Sequence, residues 1–407
     1  MDRTDRFDLD GGDGMVRWRE SRSEVAEAVR LAAGTASALG LARFAYGLLL
    51  PAMRDDLHWS LAQAGVMSTA NGLGHLAGAL VTAALVRRVS TAAAFRWSMV
   101  LTAVALAATA VSGHYAALLV TRAAAGVTGA VVFITGGVIA SRIAARASSG
   151  TPIVVYFAGT GLGIVLSGVT IPALGANWRL AWVGMGLAAG LAALVSWTAA
   201  SQGGEEPAAT AGRARLRPLW RTALAYLLFA AGYITYITFL SAYLAERDAP
   251  LVQVMLIWTA LGAAVMAAPA LWSRPITHWR GGGALATLLA LLAGGAVIAL
   301  AAPALVLASS IVFGATFMSV PAAVTALVRA ATPPAGWTAT LAAFTTVFAV
   351  GQTAGPWIAG LLADHTSTDA TLAWTAILCA AAAVIAATVR PRPIETSTPA
   401  TGHGERQ

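Results

Sequence analysis

Three ionisable side chains lie inside long apolar stretches of this sequence, where a charge is costly. They are Arg43, His75 and Arg122, and no Asp or Glu falls well inside such a stretch. An unpaired guanidinium in hydrocarbon costs roughly 3 kcal/mol on insertion scales, so each Arg is expected to face the protein interior or a water-filled cavity. The sequence offers neither Arg a nearby acidic partner. An anionic ligand would supply one, most simply a carboxylate bound in bidentate fashion.

Each of these residues also has a structural interpretation. Backbone carbonyls freed near glycines can hold Arg43 or Arg122 without any functional role. His75 titrates near neutral pH when unperturbed, which makes it a candidate carrier of a coupling proton. A histidine that is hydrogen-bonded between two helices would have the same sequence signature, so both interpretations stay open.

Polar and aromatic side chains at helical spacing predict the rest of a binding site, although packing inside a helical bundle produces similar stripes. Tyrosines recur along the seventh apolar stretch, and their rings suit an aromatic or apolar part of a ligand. The positive charge is confined to the first half of the chain, which suits a ligand with one charged end. The predicted substrate-binding residues are Arg43, Tyr46, Asn71, Tyr156, Tyr233, Tyr236 and Gln352.

The composition requires a membrane environment for the elements that position these residues. Hydrophobic residues make up 58% of the chain, charged residues 11%, and the mean hydropathy is +0.72. An ordinary water-facing surface does not allow such values. Apolar runs of about 20 residues, enough to cross the hydrocarbon core as a helix, occur twelve times. The predicted spans are 27–50, 61–86, 96–113, 116–141, 152–174, 179–200, 220–245, 251–273, 282–302, 304–329, 337–362 and 371–389. The predicted fold class is therefore an all-α membrane protein.

Polar segments divide the chain into two six-helix bundles, predicted at 27–200 and 220–389. Residues 201–219 have the composition of a linker. Residues 1–26 lack the apolar core of a signal peptide and are predicted to be a disordered tail. A second tail is predicted at 390–407, where prolines prevent extension of the last helix.

The distribution of arginine predicts which side of the membrane each loop occupies. Short loops rich in Lys or Arg stay in the cytoplasm. The loops on the side of the termini contain many arginines, whereas the opposite loops carry only Arg54, Arg179 and Arg247. Both tails and the linker are therefore predicted to be cytoplasmic, in the plasma membrane of a bacterium. The net charge of +8 is explained by an anionic lipid leaflet, and nucleic-acid binding is not expected.

Glycines at a repeated spacing predict where helices approach closely. Gly159, Gly163 and Gly168 lie in the fifth span, and the same spacing recurs in the eleventh. The predicted interface motif between the bundles comprises Gly159, Gly163, Gly168, Gly351, Gly355, Pro356 and Gly360. Such spacings remove side chains from a helix face, so that two backbones can meet. Duplicated halves of this kind are typical of transporters.

Several of these motifs resemble the major facilitator superfamily of secondary transporters over nearly the whole chain. Leu118-x-x-x-Arg122-x-x-x-Gly126 is similar to its fourth-helix arginine motif, and Gly351-x-x-x-Gly355-Pro356 to its glycine-proline motif. The first resemblance implies a proton-coupling role for Arg122, beside the candidate His75. The superfamily fold implies alternating access, with two bundles tilting around a central site.

Two further segments resemble the YbfB/YjiJ-like group more specifically. They begin at Leu41-Ala-Arg43-Phe-Ala-Tyr-Gly and at Asn71-Gly-Leu-Gly-His75. One departure from many superfamily members is that residues 78–90 carry Arg87 and Arg88 without an acidic residue. Resemblance to this group implies a fold but does not identify a substrate.

The sequence therefore predicts a proton-linked secondary transporter of a small organic solute, preferably an organic anion. An exporter of drugs or metabolites is the alternative, because a cavity of Trp, Phe and Tyr also suits amphipathic compounds. The expected partners are the substrate, a coupling proton and membrane lipids, in a monomer. No cofactor or metal is expected. A membrane-embedded enzyme and a non-transporting sensor are weaker alternatives, because catalytic clusters and an output domain are missing from the sequence.

Overall fold

The structure is a computed structural model that describes residues 10–202, 214, 216–333 and 336–390. Within these ranges the secondary structure is helical, and twelve helices are long and apolar enough to cross a membrane, as predicted. The spans are α1 (Ser23–Leu57), α2 (Leu61–Val89), α3 (Thr91–Thr109), α4 (Tyr115–Arg146), α5 (Thr151–Leu174), α6 (Trp178–Ser196), α7 (Arg217–Ala245), α8 (Leu251–His278), α9 (Gly283–Ala301), α10 (Pro303–Ala331), α11 (Ala339–Asp364) and α12 (Asp369–Ala387).

The polar N-terminal segment is helical where the structure describes it. The helix that contains α1 begins at Asp10, so residues 10–26 are helical rather than disordered. Polar residues such as Arg and Glu are good helix formers, which lets the backbone hydrogen bonding of α1 continue beyond its apolar part. Residues 1–9, most of the linker (203–213 and 215) and residues 391–407 lie outside the described ranges.

Local sequence signals explain how several helices start. Ser60 begins α2 with a capping box, in which its hydroxyl accepts the N–H of Gln63 at 3.2 Å and its own N–H donates to Gln63 Oε1 at 2.9 Å. Such a box satisfies two donors that would otherwise lack an intrahelical partner. Ser90 caps α3 in a similar way by accepting the N–H of Ala93. Pro152 stands in the first turn of α5, where a missing N–H costs nothing.

Two bundles form, from α1–α6 and α7–α12, and among the described residues three helix pairs make most of the contacts between them. These pairs are α5 with α8, α2 with α11, and α1 with α7.

The two ends of the molecule differ in charge. One end, which we call the arginine-rich face, carries Arg87, Arg88, Arg146, Arg221 and Arg329 at helix ends. The other end, here the acidic face, carries Asp55, Asp56, Glu246, Asp364 and Asp369.

The middle of α1 is wound as a π-helix between Ala36 and Phe44. The N–H of Ala45 donates to the carbonyl of Gly40, five residues earlier, at 2.9 Å. Gly40 also lets α1 approach α5, because a Cβ at this position would lie 2.5 Å from Cα of Gly163. Wider turns of this kind take carbonyls out of the regular ladder and are frequent at functional sites.

Candidate functional site at the bundle interface

Arg43 crosses from the N-terminal bundle to the C-terminal bundle near the middle of the membrane. Its side chain is buried, at 7% exposure. Nη2 donates to Gln352 Oε1 of α11 and to the Tyr233 hydroxyl of α7, the latter at 3.4 Å. Its Nε has no hydrogen-bond partner among the described residues. The partners of this buried cation are thus neutral oxygens, and its charge is left without an acidic counterpart among them.

Aromatic rings surround the partner hydroxyl of Arg43. Tyr233 stacks on Phe229 with ring centroids 4.8 Å apart and on Phe317 at 5.7 Å, with interplanar angles of 14° and 18°. Phe348 of α11 stacks on the same Tyr233 at 5.7 Å and is only partly buried. Phe44, next to Arg43, meets the Phe317 ring edge-on at 5.7 Å. The apolar groups around the Arg43 guanidinium are therefore mostly aromatic rings, and most of their planes are nearly parallel.

Arg122 is buried within the N-terminal bundle, at 1% exposure. Its Nη1 donates to the carbonyl of Ala42 at 2.7 Å, and its guanidinium lies over the rings of Tyr46 and Trp182, at 5.2 and 5.0 Å from the centroids. Its Nε and Nη2 have no partners among the described residues. The carbonyl contact matches the structural interpretation of this arginine. It also connects Arg122 to the residue that immediately precedes Arg43.

Two other predicted residues support Arg122. Tyr46 is fully buried and donates its hydroxyl proton to the carbonyl of Ala64 at 2.7 Å. Asn71 donates from Nδ2 to the carbonyl of Arg122 at 3.1 Å, so that it joins α2 to α4. Neither contact reaches the C-terminal bundle. Both residues therefore hold the neighbourhood of Arg122 in place.

Tyr156 and Tyr236 lie in packed clusters inside one bundle each. The Tyr156 hydroxyl donates to the carbonyls of Val132 and Phe133 at 3.0 and 3.1 Å. Tyr236 shares a 2.8 Å hydrogen bond with Ser309 and stacks on Phe313 at 3.9 Å. Both tyrosines are fully buried. Of the predicted substrate-binding set, the structure brings together Arg43, Tyr233 and Gln352 by hydrogen bonding, and it places these two tyrosines apart from that group.

His75 is half-buried on α2, close to α4. Its ring lies 6.3 Å from the ring of Phe133. A Cβ at Gly126 would lie 2.9 Å from the backbone nitrogen of His75, so the glycine allows α4 to pack closely against α2. His75 is thus on the same helix as Asn71 and one turn further towards the arginine-rich face.

The predicted glycine motif is divided between two kinds of contact. Gly159 and Gly163 pack on α1, because added Cβ atoms would lie 2.1 and 2.4 Å from the carbonyl oxygens of Ala32 and Ala36. Gly168 instead packs on Trp258 of the other bundle. The second copy repeats this division. Gly351 and Gly355 meet the carbonyls of Leu227 and Ala231 in α7, whereas Gly360 meets Leu61 in α2 and the carbonyl of Pro356 faces Gly65.

Sequence reasoning missed several residues that join the bundles. Gly161 of α5 and Gly262 of α8 face each other, since a Cβ on either would lie 2.4 or 2.7 Å from the other's carbonyl oxygen. Ser68 and Thr238 share a 2.8 Å hydrogen bond, and Thr69 donates to the carbonyl of Thr353 at 2.6 Å. The sequence does indicate the position of Gly161, because a spacing of seven residues places it on the face of α5 that also carries Gly168.

The described contacts between the bundles lie between the membrane middle and the acidic face. Those nearest the acidic face join Asp364 and Gly360 of α11 to the first turn of α2. Those nearest the middle include the hydrogen bonds of Arg43. Towards the arginine-rich face, Leu80 of α2 and Thr346 of α11 are exposed. The conformation is therefore one in which the acidic side is closed.

Two membrane-embedded six-helix bundles, with polar side chains meeting between them at mid-membrane, define a secondary transporter of the major facilitator type. The chain belongs to the family of the uncharacterised MFS-type transporter YbfB, whose model matches residues 35–390. This confirms the predicted family. No curated protein sequence matches the chain significantly.

Solved structures of other transporters share this fold. One is the crystal structure of a bacterial homolog to the human lysosomal transporter Spinster, in an inward-facing and unoccupied conformation. It is 14% identical, with a TM-score of 0.64 over 90% of this chain and 95% of that chain. Another is the crystal structure of the nucleoside transporter NupG, 14% identical, with a TM-score of 0.65 over 88% of this chain and 97% of that chain. At these identities the likeness shows the fold alone.

Proposed function

We propose that this transporter carries a small organic anion by proton-linked alternating access, with Arg43 binding the anionic group. One observation carries the proposal. The buried guanidinium of Arg43 is held by the neutral oxygens of Gln352 and Tyr233, both from the opposite bundle. A carboxylate in their place would form charge-assisted hydrogen bonds, which are roughly twice as strong as neutral ones. A ligand bound there contacts both bundles, as alternating access requires.

The rings beside Arg43 support a substrate with a flat body. Tyr233 stacks on both Phe229 and Phe317 with near-parallel ring planes, and a flat ring that displaced one of them would stack on Tyr233 in the same way. Offset stacking on such faces contributes about 0.5–1.5 kcal/mol beyond burial of the same area. We therefore propose an aromatic carboxylate as the preferred class, with its charge on Arg43 and its ring against Tyr233.

The arginine distribution supports an orientation with both termini in the cytoplasm, in a bacterial inner membrane. The arginine-rich face is then cytoplasmic, and the closed acidic side faces outwards. With this orientation, we infer that the described conformation is an inward-facing state, the state named for the crystal structure of the Spinster homolog. A monomer is the proposed unit.

Replacing His75 with Asn is expected to flatten the pH dependence of transport. His75 is half-buried near the middle of α2, and an imidazole is the side chain whose charge changes most readily around neutral pH. The measurement is uptake into proteoliposomes at a series of external pH values. His58→Asn is the matched control, because His58 is exposed at the acidic end of α1. An unchanged profile in His75→Asn removes His75 from the coupling scheme and leaves Arg122.

An exporter of amphipathic compounds is the second candidate. The aromatic stack favours it, because Tyr226 and the partly buried Phe348 extend the row of rings from Tyr233 towards the arginine-rich face. In that case Arg43 would be a structural residue. The family and the fold indicate a transporter rather than an enzyme in either case.

Thermal unfolding of the purified protein with matched ligands tests the proposal. The ligands are benzoate, cyclohexanecarboxylate, benzyl alcohol and tetraphenylphosphonium. A ligand at 100 times its dissociation constant stabilises the native state by about 2.7 kcal/mol. We expect the largest stabilisation with benzoate, less with the non-planar carboxylate, little with the uncharged alcohol, and none by either carboxylate in Arg43→Ala.

The other outcomes distinguish between the two candidate functions. Equal stabilisation by the two carboxylates keeps the anion site and contradicts the aromatic preference. Stabilisation by tetraphenylphosphonium in both wild type and Arg43→Ala, without any effect of carboxylates, overturns the anion proposal in favour of the exporter.

A further inference from the structure

Asp364, the last residue of α11, binds the first turn of α2 in the other bundle. Its Oδ1 accepts the N–H of Leu61 at 2.6 Å, and its Oδ2 accepts the N–H of Ala62 at 2.9 Å. N–H groups at a helix start lack intrahelical partners, and a carboxylate placed there also benefits from the helix dipole. The interaction is therefore charge-assisted at both oxygens.

The capping of α2 leaves these two donors available. The capping box formed by Ser60 and Gln63 satisfies the N–H groups of those two residues. The N–H groups of Leu61 and Ala62, which lie between them, take Asp364 as their acceptor. The start of α2 is thus capped partly by its own sequence and partly by a residue from the opposite bundle.

Close backbone contact continues from this point into the membrane. One turn before Asp364, a Cβ on Gly360 would lie 2.5 Å from the carbonyl oxygen of Leu61. Further along, a Cβ on Gly65 would lie 2.4 Å from the carbonyl oxygen of Pro356. Asp364 therefore closes the outer end of a continuous contact between α2 and α11. Separating the bundles on the acidic face requires its two hydrogen bonds to break.

Other carboxylates of the acidic face act inside a single bundle. Asp56 accepts from Trp178 Nε1 at 2.8 Å and pairs with Arg179, all in the N-terminal bundle. Asp369 pairs with Arg247 in the C-terminal bundle. Among the described hydrogen bonds and ion pairs of these carboxylates, those of Asp364 connect the two bundles. Asp369 therefore provides a control for substitutions of Asp364.

We propose that Asp364 is a latch that holds the acidic face closed and so sets the balance between the two conformations of the transporter. Its partners are backbone N–H groups, so the identity of residues 61 and 62 does not matter for the interaction. The latch acts whichever substrate is carried, and the distance measurement that tests it does not need a substrate.

Asp364→Asn tests the latch, because the amide keeps the shape of the carboxylate but loses its charge and one acceptor oxygen. Spin labels at Asp55 and Ala245, exposed at the acidic ends of α1 and α7, report the separation of the bundles in a Cys379→Ala background. Hydrogen bonds to charged groups contribute enough for about a tenfold change in an equilibrium. We expect the ratio of long to short distances to rise about tenfold in Asp364→Asn and to stay unchanged in Asp369→Asn.

A distance distribution equal to that of the wild type in Asp364→Asn overturns the proposal, as does an equal shift in Asp369→Asn. A second variant covers the case in which Asp364→Asn folds poorly. Ala62→Cys combined with Asp364→Cys places two thiols at the latch, and oxidation is expected to stop transport until a reductant is added. Transport that continues after complete cross-linking contradicts the requirement that this contact opens.

Discussion

Transport of an organic carboxylate is expected to fall at least about 100-fold when Arg43 is replaced by Ala, with the protein still inserted in the membrane. The guanidinium is the buried cation shared by both bundles, through Gln352 and Tyr233. Removing one partner of a desolvated, hydrogen-bonded charge pair costs about 2–5 kcal/mol, and each 1.4 kcal/mol corresponds to about tenfold. Uptake into proteoliposomes, normalised to reconstituted protein, measures the effect.

Two variants serve as controls for this experiment. Arg43→Lys keeps the charge but loses the planar fork that binds a carboxylate in bidentate fashion, so intermediate transport is expected. Arg179→Ala removes an equal charge from an exposed ion pair with Asp56 on the acidic face and is expected to transport normally. Normal transport by Arg43→Ala would remove the anion site from the mechanism.

Replacing Arg122 with Ala is expected to abolish transport as well, and also to lower the stability of the N-terminal bundle. The substitution leaves a cavity beneath Tyr46 and Trp182 and leaves the carbonyl of Ala42 without its Arg122 donor. Large-to-small changes in a core typically cost 2–5 kcal/mol, and an unsatisfied buried acceptor costs about 1–3 kcal/mol. Thermal unfolding and uptake are measured on the same preparations.

Arg122→Met separates packing from hydrogen bonding. Its side chain fills much of the cavity but cannot donate to Ala42, so most of the stability is expected to return while transport stays low. Full recovery of transport in Arg122→Met would show that volume alone matters at this position. It would also exclude a role of the guanidinium in proton coupling.

The number of spans and their approximate positions were predictable from the sequence because hydropathy is a local property, although several limits differ, as in the first span, predicted at 27–50 and observed at Ser23–Leu57. The composition of the site was harder to predict. Arg43 was identified by its charge, and Gln352 and Tyr233 by their positions on polar or aromatic stripes. Tyr156 has the same kind of signature, yet its hydroxyl is used by the carbonyls of Val132 and Phe133. Periodicity defines a helix face but not the neighbour that this face will meet.

Helical geometry explains why the glycines of the predicted motif contact two different neighbours. At about 100° per residue, the nine steps from Gly159 to Gly168 amount to about two and a half turns. The two glycines therefore lie on opposite faces, one towards α1 and one towards α8, as the structure shows. The sequence-based prediction placed all the glycines of the motif in one interface between the bundles, so it did not include this division. The Asp364 contact had no comparable signal, because the N–H groups that donate to its carboxylate belong to the start of α2 in the other bundle, and only the packing of α11 against α2 brings them together.

The π-helical turns of α1 set the direction in which Arg43 points. The turns between Ala36 and Phe44 hold more residues than regular α-helical turns do. Each residue in them therefore rotates the chain about the helix axis by less than the roughly 100° of an α-helix. If the same residues formed a continuous α-helix, Arg43 would turn away from Gln352 with every residue type around it preserved. Among relatives of this chain, the loss of these wide turns would therefore indicate a changed binding site more reliably than many substitutions.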